Sequence, residues 1–111
     1  MTFGQGEAAV VAACQSDWNS VEVALQAYDA ETGSYPTPPS LWSAATYATN
    51  YTPLTAAGHG GPFMASAPRT THYLIEYDAS GHILVEPPGH YAAAYSPVRD
   101  TSSNACYLAL F

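Results

Sequence analysis

The hydrophobic pattern along the first third of the chain has one clear period. Val10, Cys14, Trp18, Val21, Leu25 and Tyr28 recur at steps of four, four, three, four and three. That is a single stripe on an α-helix. Gln15, Asn19, Glu22, Gln26 and Asp29 fall on another face. The spacing predicts a helix over about 6–32, ended by Gly33 as a left-handed terminator. Ser34-Tyr35-Pro36 cannot continue it, because Pro36 disfavours helical geometry at Tyr35. The stop is well specified, whereas Phe3-Gly4-Gln5-Gly6 offers no Ser, Thr, Asp or Asn cap at the start.

The pattern then dissolves. Residues 33–70 are rich in Pro, Thr, Ala and Gly and read as a loop region. Within it a short helix is predicted from Pro39-Ser40-Leu41-Trp42 to about Thr49. Ser40 is its expected N-cap, and Leu41 or Trp42 docks on the core. Tyr51 to Met64 reads as loop.

A second period, of two, appears in THYLIEYDASGHILVEP. It predicts a β-hairpin over about 71–86, with strands Thr71–Tyr77 and His82–Glu86. Asp78-Ala79-Ser80-Gly81 fits a type I turn followed by Gly81 at positive φ, so Asp78 faces His82. This register gathers Tyr73, Ile75, Tyr77, Ile83 and Val85 on one face, expected to lie on the helix stripe. Leu74, Glu76, His82, Leu84 and Glu86 take the other face, and a one-residue slip would mix the two sets. Pro87-Pro88-Gly89 ends the hairpin, and Ala105 to Leu110 reads as a final strand. The expected fold class is α+β: an amphipathic N-terminal helix packed on a small antiparallel sheet. Residues 1–111 are read as one domain.

Composition adds a function class to exclude. Nine acidic residues face two arginines, Arg69 and Arg99, and no lysine, for a net charge of −7. Nucleic-acid binding needs Lys and Arg to neutralise phosphates, and an anionic membrane surface would repel this chain. Nine tyrosines and many Ser and Thr supply a weakly charged, hydroxyl-rich surface of the kind common outside cells. No apolar run approaches the roughly 20 residues that span a bilayer.

Cys14 and Cys106 lie near opposite ends of the chain and outside any zinc or thioredoxin-like spacing. They are two buried thiols or one disulfide. The even count and the secreted character of the rest favour the disulfide. Closing so long a loop is worth roughly 4–5 kcal/mol in the chain-entropy model.

Candidate chemistry is sparse. His59, His72, His82 and His90 lack metal-ligand spacing and read as solvated loop or strand residues. Glu76, Asp78 and Glu86 are close enough for a weak calcium site, but no Asp-x-Asp loop collects the oxygens. No serine has a nucleophile-elbow context, and His59-Gly60-Gly61 is not a phosphate loop. Catalytic, cofactor and metal residues are therefore expected to be none. Trp18 reads as core. Trp42 and the tyrosines are the candidates for an exposed aromatic patch.

One stretch carries a family likeness. ACQSDWNSVEVALQAYDAETGSYPT resembles the helix-to-loop junction of the type IV pilin and type II secretion pseudopilin superfamily. Ala13, Val21, Ala24, Leu25 and Tyr28 match the small, apolar and aromatic positions of its helix. Gly33, Tyr35 and Pro36 match its junction motif. The likeness covers residues 8–42 and, more loosely, the hairpin. It implies a pilin-like head and a non-catalytic structural subunit of an extracellular filament, without cofactor. Its partners would be other such subunits, met through the N-terminal helix. It also implies that Met1-Thr2-Phe3 opens a piece of a longer protein. The family's basic leader, processing site and membrane-anchoring hydrophobic helix would lie upstream. The pseudopilin calcium loop is not evident, which favours a pilin-like subunit. Two other readings stand beside this one: a secreted glycan- or protein-binding module using Trp42 and tyrosines, and a small hydrolase. Adhesion, motility, DNA uptake and secretion are not distinguished by sequence.

Overall fold

The structure is a computed structural model that describes residues 5–91 and Cys106. It is an α+β arrangement of one long helix, two single-turn helices and a two-stranded antiparallel sheet.

Helix α1 spans Gln5–Thr32, about 42 Å of helix at 1.5 Å per residue. Its stripe buries Val11, Cys14, Trp18, Val21, Ala24 and Leu25, with Val10 and Tyr28 partly buried beside them. Gly33 ends it at φ +89°, and its N–H reaches the Asp29 carbonyl at 2.8 Å. A glycine tolerates this conformation because it has no Cβ to clash. The Thr32 hydroxyl donates to the Tyr28 carbonyl at 2.8 Å, satisfying another acceptor of the last turn.

The segment after Pro36 differs from expectation. No helix starts at Ser40; α2 covers Tyr47–Asn50 and α3 covers Thr52–Thr55. Ser40 is held as a non-local partner instead of a cap. Its N–H donates to Asn50 Oδ1 at 2.9 Å, and its carbonyl accepts from Asn50 Nδ2 at 3.1 Å. The stretch read as loop from Tyr51 holds α3, where Pro53 lies in the first turn. A proline is tolerated there because that N–H has no intrahelical acceptor to lose. Of the two residues expected to dock, Trp42 packs against the core and Leu41 is 90% exposed.

The hairpin keeps the predicted register. Strands β1, Leu74–Tyr77, and β2, Ile83–Glu86, pair Leu74 with Glu86, Ile75 with Val85, Glu76 with Leu84 and Tyr77 with Ile83. Gly81 has φ +83°, and its N–H bonds to the Asp78 carbonyl at 3.0 Å. The strands are shorter than predicted. Continuing the register sets His72 against Pro88 at the next position where the strands would bond, and a proline has no N–H for the ladder. Both faces of the hairpin are buried. All eight strand residues are buried, Glu76 and Glu86 included. The face carrying Leu74, Glu76, Leu84 and Glu86 is therefore covered as well.

Ile75 shows how the free edge of β1 is managed. It lies opposite Val85 at a position whose backbone groups point away from β2. Its N–H donates to the Tyr47 hydroxyl at 3.2 Å, and its carbonyl accepts from the Tyr51 hydroxyl. Two side chains from α2 and the α2–α3 junction thus replace a third strand and remove a pairing template. Tyr77 OH donates to the Asn50 carbonyl.

Cys14 and Cys106 are disulfide-bonded, with Cα atoms 6.0 Å apart and the two residues 92 positions apart in sequence. The predicted strand over about 105–110 lies outside the described residues except for Cys106, whose backbone is helical.

Candidate functional site at the helix exit

Gly33-Ser34-Tyr35-Pro36 is the point where α1 hands the chain to the rest of the molecule. Pro36 is fully buried. The Tyr35 ring lies over the hairpin turn so closely that a Cβ on Gly81 would fall 2.8 Å from it. Gly81 is thus required twice, by its backbone sign and by the ring above it. The junction residues singled out in sequence are therefore joined to the hairpin turn, 46 positions away from Tyr35 (81 − 35).

A second clamp holds the last turns of α1. Tyr28 meets Phe63 edge-on at 5.6 Å between centroids and His59 at 5.9 Å. The 58–61 turn brings Gly60 against the Glu31 side chain. The Phe63 and Met64 N–H groups both reach the Leu54 carbonyl, at 2.8 and 3.1 Å, tying this loop to α3.

Between these clamps lies an aromatic cluster. Trp42 packs edge-on against Tyr47, Tyr51 and Tyr77 at 5.7, 5.7 and 5.6 Å. Tyr51 is fully buried. Burial pushes the Tyr47, Tyr51 and Tyr77 phenols well above their ordinary range. Burial, then the Asp17 carboxylate that accepts its hydroxyl, does the same to Tyr73. All four stay protonated at neutral pH: Tyr51, Tyr73 and Tyr77 donate their hydroxyls, and Tyr47 accepts the Ile75 N–H.

The other sequence candidates are dispersed. His82 Nδ1 lies 3.0 Å from Asp78 Oδ2 at the exposed hairpin turn. His90 is exposed, and its N–H closes a turn onto the Pro87 carbonyl at 3.1 Å. Among the described residues no three His, Cys, Asp or Glu side chains converge as a metal site, so Glu76, Asp78 and Glu86 do not form one. No described helix is long and apolar enough to cross a membrane. Trp42 is half-buried by the tyrosines. What remains of it borders an open cleft of about 470 Å³ with Leu41, Leu84, Asp78 and Tyr91.

Two further clefts flank α1 on its outer side, of about 610 and 460 Å³. Arg69 lines both. Sequence reasoning passed over Arg69 and dismissed His72, which lines the second. The available signal was that Arg69 is the only basic residue before position 99.

Family models, curated proteins and solved structures give no match to this chain.

Proposed function

We propose that this chain is the head of a non-catalytic filament subunit of the type IV pilin or pseudopilin kind. It would be displayed outside the cell and anchored before assembly through a hydrophobic helix upstream. The observation that carries the reading is the helix exit. A 28-residue helix enters the head along a continuous buried stripe. It leaves at Gly33-Ser34-Tyr35-Pro36, whose tyrosine is docked on the hairpin turn. A filament subunit needs such a rigid joint, because load carried by the helix must reach the head without a hinge. The acidic, hydroxyl-rich composition and the Cys14–Cys106 bond suit an oxidising exterior.

The sequence encoded immediately before residue 1 tests the reading. It should continue α1 into a hydrophobic helix preceded by a basic leader and a processing site. A polar upstream sequence without that punctuation would contradict it.

A further inference from the structure

The outer side of α1 carries a face distinct from both its buried stripe and its polar stripe. Ala9, Ala13, Ser16, Ser20 and Val23 recur at four, three, four and three, and all are exposed. The segment 63–73 runs alongside and turns this face into a groove made of the two clefts that share Arg69. The groove's charge is unlike that of the rest of the molecule. Arg69 is the only basic residue among those described, and it makes no ion pair there. His72 and Thr71 lie beside it in the same cleft. The groove's carboxylate, Asp17, is engaged by the Tyr73 hydroxyl. An acidic chain thus keeps its described cation, unpaired, in a concave site floored by small side chains.

The complementary surface is on the same helix. Glu22, Gln26 and Asp29 form a partly exposed polar edge. At 3.6 residues per turn that edge lies roughly a third of a turn around α1 from the groove. A surface and its complement on different sides of one molecule make a heterologous contact, which repeats into an open chain unless it closes into a ring.

We infer that the Arg69–His72 groove receives the Glu22–Asp29 edge of a neighbouring copy of this chain. This inference rests on the filament reading and names its subunit contact. Small residues at Ala13, Ser16 and Ser20 let the neighbouring helix approach closely. Arg69 sets the position by pairing with a carboxylate that is otherwise solvated.

Complementary blocked variants test it. Arg69→Gln removes the groove's charge, and Glu22→Gln with Asp29→Asn removes that of the edge. Both sets change exposed or partly exposed side chains, and unfolding curves matching the wild type would show that the fold is intact. In sedimentation velocity the wild type should associate progressively with concentration and dissociate as salt rises. Each variant alone should associate about tenfold more weakly or worse. Mixed, the two should form a dimer that grows no further, since the mixture brings one intact edge to one intact groove. A wild type that stays monomeric at every concentration would overturn the inference. So would an Arg69→Gln protein that associates like wild type, or a mixture without dimer. The upstream sequence tests the filament reading separately, so a filament subunit indifferent to Arg69 would sink this contact alone.

Discussion

At the scale of single residues, tyrosine hydroxyls do the work that a neighbouring strand or a cap does elsewhere. Tyr51 is fully buried and its hydroxyl serves the Ile75 carbonyl. Tyr51→Phe keeps the ring and strands that acceptor, so it should cost about 1–3 kcal/mol. Urea unfolding should show a lower midpoint with an unchanged slope. Ionisation gives a second expectation. The Tyr47, Tyr51, Tyr73 and Tyr77 phenols are raised above their usual value of 10.0. A raised folded-state value means the unfolded chain releases its protons first. Stability is then fully present below about pH 10 and declines as pH rises past it. Tyrosinate absorbance for these four should appear together with loss of the folded circular-dichroism signal. A smooth titration of all nine tyrosines with the fold intact would contradict this. Gly81 is the third case. Gly81→Ala meets both a positive φ and the Tyr35 ring and should destabilise by roughly 1–3 kcal/mol. A stability equal to wild type would mean that Tyr35 does not lie on the turn.

At the scale of elements, local signals were legible and non-local ones were not. The 10-14-18-21-25-28 stripe, the Gly33 stop and the Asp78–Gly81 turn are written in spacings of a few residues. Helix α1 and the hairpin register follow from them. Helices α2 and α3 are different. Each is a single turn, too short for a period to show, and is held by contacts such as Asn50 to Ser40 and Tyr47 to Ile75. Those partners lie 10 and 28 positions apart, and no pattern in sequence announces them. The covered second face of the hairpin was illegible for a related reason. Alternation tells two faces apart but does not say what covers each, and Glu76 and Glu86 on the second face are buried. The groove beside α1 likewise exists only because residues 63–73 pass along the helix.

At the scale of the whole molecule, one covalent bond ties the middle of α1 to a residue near the far end of the chain. Nearly the entire sequence lies inside that loop, so its closure restricts the unfolded chain strongly. Replacing both cysteines by serine should cost about 2–5 kcal/mol, read as a lower unfolding midpoint relative to the oxidised protein. The oxidised, unfolded protein should incorporate no alkylating reagent before reduction and two equivalents after it. Alkylation of both cysteines without reductant would show that the bond is absent.

The two clamps and the disulfide serve one purpose in this account, which is to fix the head rigidly on a long helix so that copies can be stacked. In the proposed filament the Arg69 groove and the Glu22–Asp29 edge would supply a contact that repeats. The central claim is that the chain lives in a filament. Antibody raised against the folded domain, applied to filaments sheared from the surface of cells that produce it, tests that claim most directly. The account predicts regular labelling along the filaments and recovery of the chain in the sheared fraction. Recovery of the chain entirely as free protein in the medium, with unlabelled filaments, would contradict it.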